Sequence, residues 1–409
     1  MSSAATPTPA HPLTAAPPQT TTGDTYRVLV LGGYGLFGGR IVRTLARDAG
    51  LHLIVAGRDR ARAEDFVGTI QAPQARIEAA VLDTDDSGFA ARLRALAPQL
   101  VIDTAGPFQS RVQSRTEDGA VRATYRTAAA ALAAGAHVID LADGRDYVRG
   151  IRALDAQAVA AGRWAISGAS SVPALHAAVI EAYRAGFAQI DAVETAIAPG
   201  NRTPRGWATM LAILSYSGQP YRSLRDGVWR TVYGWQSLRR LRVAGVGARW
   251  VARCDVPDLD LLPERYRSLR TVEFRAGVEL RRMHLGLWLA TWCVRAGVIG
   301  DLRRFAGPLF RLSRRWQDIG SDVGFMRVRL RGHGHDGKRQ RLDWTLIARE
   351  GDGPQIPATA AVLLARKLAR GALPGAGAAP CLDLFALDEF LSTLDGFAME
   401  TRVDIGEEP

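Results

Sequence analysis

Through the first half of the chain, short apolar runs alternate with stretches of helical periodicity. Val28 to Leu31, His52 to Ala56, Arg76 to Leu82, Leu100 to Asp103, His137 to Leu141 and Trp164 to Ser167 read as strands. The intervening patterns predict helices from near Phe37, over Ala61 to Ile70, Gly88 to Ala97, Val121 to Ala134 and Ile151 to Ala161, and from about Ala174. Near-continuous apolar strands alternating with helices predict a parallel sheet covered on both faces. The second half differs. Period-2 alternation marks Gln189 to Ile197, Thr271 to Leu280, Met326 to Arg331 and Leu342 to Ala348. Helices are expected from Pro204 or Arg205, over Leu285 to Gly300, Ala358 to Ala369 and Leu387 to Leu394, ahead of an acidic tail.

The first strand runs into a glycine cluster, Gly32 to Gly39. Gly33, Gly35 and Gly38 fit G-x-G-x-x-G between a strand and a helix. Gly33 is expected to make the tight turn, Gly35 to admit a pyrophosphate, and Gly38 to let helix and strand pack closely. Tyr34, Leu36 and Phe37 complete the loop at the helix N-terminus, where free N–H groups favour phosphate. The predicted fold is therefore α/β: an N-terminal Rossmann-type doubly wound parallel sheet with a second mixed α/β domain. The second strand ends at Ala56 without a carboxylate, and Arg58 follows. An arginine there pairs with a 2′-phosphate, which favours NADP over NAD; Asp59 beside it keeps the ribose-binding alternative open. Asp83, after the third strand, is a candidate adenine contact. Ala105, Gly106 and Pro107 lie where the fourth loop would meet the pyrophosphate and nicotinamide.

Composition sets bounds. At 409 residues the chain suggests two domains. Residues 25–186 are expected to bind dinucleotide and 187–350 to form an α+β substrate domain. The net charge of +11 rests on arginine, since lysine occurs only at Lys338 and Lys367. Basic residues are scattered without a nucleic-acid motif, so no nucleic-acid partner is expected. Cys254, Cys293 and Cys381 have neither disulfide nor zinc spacing and fit a cytoplasmic protein. Residues 1–24, rich in Pro, Thr, Ala and Ser, read as a disordered tail rather than a secretory signal. His333 and His335 on a hairpin tip are too few ligands for a metal site, so no metal is expected.

Hydride chemistry needs a proton-exchanging group where the sheet's C-terminal loops meet the second domain. Asp143, Arg145 and Tyr147 qualify from the fifth loop, and Ser170, Ser171 and His176 from the sixth. Each has a plainer reading: a turn ion pair for Asp143 with Arg145, and packing or capping for His176. Asp140 reads as buried below the site. Arg202 and Arg205 are either anion ligands or surface residues. Leu285 to Gly300 is too short to span a bilayer. Its flanking arginines fit a helix on an anionic membrane surface, and its apolar length equally fits a helix buried between domains or in a dimer.

GGYGLFG, AGRDRARAE, TAGPFQ, HVIDLADGRDY and SGASSVPAL, in this order, resemble the saccharopine dehydrogenase-like NADP-binding oxidoreductases, especially their poorly characterised bacterial branch. The resemblance covers about Tyr26 to Tyr183 and continues more weakly at DGPQIPATAAVLLARKL. It implies nicotinamide-dependent oxidoreductase chemistry, a homodimer formed through the second domain, and a C-terminal segment, 351–409, returning to the first. Ser171, Val172, Pro173 and Ala174 stand where the amino-acid-forming members carry Asp-Pro-Gly, so saccharopine is not the expected substrate. The expected function is hydride transfer to or from a small or lipid-like carbonyl, imine or enoyl group. The alternative is an NADPH-sensing regulatory or scaffold protein without turnover.

Overall fold

The computed structural model describes residues 25–115 and 121–407. The predicted N-terminal tail lies outside them. In chain order the first half contains β1 (Tyr26–Leu31), α1 (Gly38–Leu45), β2 (Leu51–Gly57), α2 (Arg60–Gly68), β3 (Arg76–Val81), α3 (Phe89–Ala95), β4 (Leu100–Asp103), β5 (Val112–Arg115), β6 (Val121–Ala123), α4 (Arg126–Ala133), β7 (His137–Asp140), α5 (Arg145–Gly150), α6 (Asp155–Ala161), β8 (Trp164–Ser167) and α7 (His176–Arg184). The second half continues with β9 (Gln189–Ala198), α8 (Trp207–Tyr216), β10 (Pro220–Arg225), β11 (Val228–Tyr233), β12 (Arg239–Val243), β13 (Gly247–Arg253), α9 (Asp258–Arg265), β14 (Thr271–Ala276), α10 (Arg281–Arg295), α11 (Ala306–Arg315), β15 (Gly324–His333), β16 (Arg339–Ala348), α12 (Gln355–Ala369), β17 (Gly377–Pro380), α13 (Leu387–Thr393) and β18 (Met399–Glu407).

The first sheet has the order β3-β2-β1-β4-β7-β8-β17. Every pairing in it is parallel. Its central strands are buried on both faces, which is why they read as unbroken apolar runs. The order reverses between β1 and β4, and the crevice outside their carboxyl ends is where ligands of such sheets bind. The seventh strand, β17, comes from the far end of the chain. Ahead of it α12 lies against α1, with Gln355 Nε2 donating to Thr44 Oγ1 at 3.2 Å and Arg366 pairing with Asp48 at 2.8 Å. Val362 and Leu364 of α12 are fully buried, each such side chain contributing about 1.5–3 kcal/mol.

The second sheet is mixed, with the order β12-β13-β14-β9-β15-β16-β18. Only β14 and β9 pair in parallel there; the other five pairings are antiparallel.

Several expectations need correction. The helix predicted over Val121 to Ala134 begins at Arg126, because Val121–Ala123 pairs with β5 as a short hairpin. The predicted acidic tail is β18, an edge strand on β16. The strand expected over Thr271 to Leu280 stops at Ala276, and α10 starts at Arg281. No helix among the described residues is long and apolar enough to cross a membrane.

Candidate functional site

The β1–α1 connection is built from glycine backbone. The left-handed turn falls at Gly32, with φ +71°, and not at Gly33 as the motif spacing predicts. A Cβ on Gly33 would stand 2.9 Å from the Val30 carbonyl oxygen and 3.0 Å from Val55 Cγ1, so this glycine serves close packing on β2. At Gly38 a Cβ would stand 2.3 Å from the Gly32 carbonyl oxygen and 2.7 Å from Thr104 Oγ1. That closeness seats the start of α1 on the end of β1. Gly35 is exposed and its N–H donates to Gly32 O at 2.8 Å. The helical ladder starts with Gly39 N–H to Gly35 O at 2.9 Å and Ile41 N–H to Phe37 O at 3.0 Å. The N–H groups of Leu36, Phe37 and Gly38 therefore precede α1's internal bonding and can receive an anion, which the helix dipole also favours.

Tyr34 crosses the end of β2. A Cβ on Gly57 would lie 2.4 Å from the tyrosine hydroxyl, which accepts the Asp59 N–H at 3.2 Å. The Arg62 guanidinium sits 5.0 Å from the Tyr34 ring centre. Asp59 caps α2, its Oδ1 accepting the Arg62 N–H at 3.1 Å. Arg58 is exposed between them. At the end of β3, Asp83 Oδ1 accepts the Asp85 N–H at 3.0 Å, which shapes that loop.

The fourth loop closes the crevice from the other side. Thr104 Oγ1 donates to Leu31 O at 2.7 Å. Ala105 N–H donates to Asp103 Oδ1 at 2.9 Å, while Arg111 bonds both Asp103 Oδ2 and the Ala105 carbonyl at 2.7 Å. Pro107 O accepts the Ser110 hydroxyl at 2.7 Å. The first turn of α8 lies over these loops. Ala208 Cβ is 3.5 Å from a Cβ position at Gly106, and Leu36 Cδ2 is 3.5 Å from one at Gly206.

Among the expected catalytic residues, only Asp143, in the loop after β7, reaches solvent. It is exposed, yet the protein around it displaces hydration and raises its carboxyl pKa; the Gln109 amide, donating at 2.8 Å, opposes that rise. The other three turn into the protein. Arg145 is 5% exposed and ties the first domain to the second. It donates to Asp255 at 3.0 Å, to Asp260 at 2.7 Å and to the Arg222 carbonyl at 2.8 Å. Tyr147 is buried among Phe108 and Tyr125, with ring centres 5.3 and 4.7 Å away, and burial drives its phenol far above the ordinary range. His176 is fully buried at the start of α7 and bonds Asp258 at the start of α9, joining the domains without reaching solvent. Arg202 and Arg205 direct their donors to the carbonyls of Asp318 and Asn201, at 3.3 and 3.0 Å. Among the described residues no group of three or more His, Cys, Asp and Glu is arranged to hold a metal ion.

In the second domain a buried cluster, which no local motif announces, lies within reach of the Asp143 charge. Tyr216, at the end of α8, hydrogen-bonds Cys254 and feels the Asp143 charge; burial first, then these neighbours, lift its pKa well above 10.0. Tyr221 and Asp255 adjoin the same cluster. Burial also pushes the Cys254 thiol up to about 12, so it stays neutral. Asp143 is thus the group here that reaches solvent, while Tyr216 keeps its proton within the buried cluster.

Asp140 lies beneath, 4% exposed, its Oδ1 accepting Ser167 Oγ at 2.8 Å and the N–H groups of Gly168 and Ala142 at 3.0 Å. Burial raises its pKa from 3.8 to about 6, against these bonds. The folded state thus favours the neutral acid. Its contribution is complete below pH 3.8 and lost as pH rises through about 6, a difference of roughly 3 kcal/mol. Asp140→Asn is expected to remove this dependence, so the variant's melting temperature gains on the parent's between those pH values. Parallel profiles would contradict the assignment.

No protein-family model matches the sequence, and no curated protein does. By structure, the chain is similar to apo saccharopine dehydrogenase (L-Glu forming) from Saccharomyces cerevisiae, at 15% identity, over 93% of this chain and 100% of that one, with a TM-score of 0.64. It also matches GenD2 from gentamicin A biosynthesis, solved in complex with NAD, at 14% identity, over 97% and 99% of the chains, with a TM-score of 0.41. The first likeness establishes a saccharopine dehydrogenase-like fold.

Proposed function

We propose that this chain is an NADP-dependent oxidoreductase acting on a small or lipid-like carbonyl, imine or enoyl group. The observation that carries the reading is the glycine-built start of α1 at the point where the sheet order reverses, with the exposed Asp143 in the loop that follows β7. The residues fit a dinucleotide. The N–H groups of Leu36, Phe37 and Gly38 would hold the pyrophosphate, and the backbone of Ala105, Gly106 and Pro107 would line the nicotinamide end. At the adenosine end Arg58 and Arg62 flank the close of β2, and Asp59 already caps a helix. This supports a 2′-phosphate reader there, with Asp83 near the adenine. When bound, the nicotinamide supplies or accepts a hydride.

The chain's own residues do the rest. In this reading the Tyr216 hydroxyl turns from Cys254 to donate a hydrogen bond to the substrate oxygen or nitrogen, its high pKa keeping the proton in place until charge develops. Asp143 exchanges the proton with that group, its raised pKa moving it toward the working range. Gln109 fixes the carboxylate. Arg145 positions Asp255 and the domain junction.

Asp143→Asn tests this reading. NADPH oxidation across a panel of carbonyl, imine and enoyl compounds should identify a substrate. The variant should turn it over about 10²–10⁴-fold more slowly with NADPH affinity unchanged. Tight NADPH binding with no turnover of any compound would shift the reading to a sensor or scaffold.

A further inference from the structure

The helical layer beside the crevice has two unlike sides. Inward, Leu214 of α8, Val294 of α10, Leu302 and Ala306 form a small core of their own. Outward, large apolar side chains meet solvent. Leu289 is 60% exposed, Trp292 45%, Val298 78%, Phe305 44% and Leu312 42%. Leu289 and Trp292 on α10, with Ala296 just past its end, make one outward stripe.

Charge concentrates on the same segment. Residues 281–317 carry eight arginines and one carboxylate, Asp301, so this stretch holds +7 of the chain's net +11. Asp301 is taken by Arg303 at 2.5 Å. Arg304 also acts on Asp301 through space, while among the described residues Arg281, Arg311, Arg314 and Arg315 form no salt bridge. Arg282 lies over the Trp316 ring at 4.4 Å, and Arg295 over Tyr233 at 4.1 Å.

We propose that α10, the turn after it and α11 dock this protein on an anionic membrane surface. Exposed tryptophan and aliphatic side chains among unpaired arginines match a bilayer interface, where apolar groups enter the acyl boundary and guanidinium groups meet anionic headgroups. A second copy is the poorer occupant. A two-fold contact would set the same arginines against each other with few carboxylates to offset them. Nucleic acid would use the arginines but not Val298, Leu289 and Leu312. The layer also adjoins the crevice: Trp207 of α8 meets Phe310 of α11 edge-on at 5.3 Å, and its neighbour Ala208 covers Gly106.

The test is flotation of the full chain with phosphatidylcholine vesicles, with and without about one-third phosphatidylglycerol. The protein should float with the anionic vesicles and not with the neutral ones. Trp292→Glu with Val298→Glu should weaken binding at least about tenfold, and so should Arg304→Glu with Arg311→Glu. All four positions are exposed, so both variants should keep the parent's melting temperature. Absence of binding to anionic vesicles overturns the proposal. So does equal binding by the Trp292→Glu, Val298→Glu variant. A variant that sediments as a smaller oligomer while binding vesicles like the parent assigns the surface to a second copy instead.

Discussion

A Gly38→Ala variant is expected to lose at least about 100-fold in nucleotide affinity, equivalent to ~2.7 kcal/mol. The added Cβ would stand 2.3 Å from the Gly32 carbonyl oxygen and 2.7 Å from Thr104 Oγ1. Neither neighbour yields easily. Gly32 is backbone in a left-handed turn, and the threonine hydroxyl is held by the Leu31 carbonyl at 2.7 Å. The strain is relieved by moving α1 away from β1, which carries the N–H groups of Leu36, Phe37 and Gly38 off their common focus. Gly39→Ala is the control. Its Cβ would meet the Phe66 ring edge at 3.1 Å, a side chain that can shift, so affinity should change only a few-fold. Fluorescence titration of both variants with NADPH, alongside thermal melts, checks this. Equal affinities would contradict the role given to the β1–α1 contact.

Removing the Arg145 guanidinium is expected to cost about 3–5 kcal/mol of stability. Arg145→Met keeps much of the volume but withdraws the cation from Asp255 and Asp260 and a donor from the Arg222 carbonyl. Burial already raises the Asp255 pKa, and Arg145 is what opposes it. Without that cation, Asp255 must be protonated or exposed, and the domain junction loosens. Arg145→Lys retains the charge but not the two-pronged contact with Asp260, so it should fall between parent and Arg145→Met. Chemical denaturation at neutral pH measures the series. An unchanged midpoint for Arg145→Met would show that the junction does not depend on this network.

The first sheet was legible because its strands are local, apolar and separated by amphipathic helices. The six predicted runs match β1, β2, β3, β4, β7 and β8 to within two residues at each end. The seventh strand was not, since Gly377–Pro380 is four small residues whose strand character comes only from pairing with β8. The strands β10 to β13 were missed for a related reason. Sequences such as RRLRV alternate weakly, and their faces are largely exposed. In the site, the glycine loop could be placed from spacing, although the turn itself falls one residue earlier, at Gly32. Loop position alone points to the expected catalytic set. Position cannot tell Asp143, which stays in the crevice, from Arg145, Tyr147 and His176, which turn inward to the domain junction and the core. Tyr216, Tyr221 and Asp255 come together beside Cys254 through tertiary packing of the second domain, and no short-range spacing marks them.

The central claim is that the crevice takes NADP. The measurement that tests it most directly is titration of the protein with NADPH and with NADH by cofactor fluorescence, with Arg58→Ala alongside. The account predicts saturable binding of both and tighter binding of NADPH. In Arg58→Ala the preference should shrink about tenfold while NADH affinity stays the same, as for loss of one charge-assisted contact. Absence of binding by either nucleotide would contradict it, leaving a glycine turn that serves the fold alone.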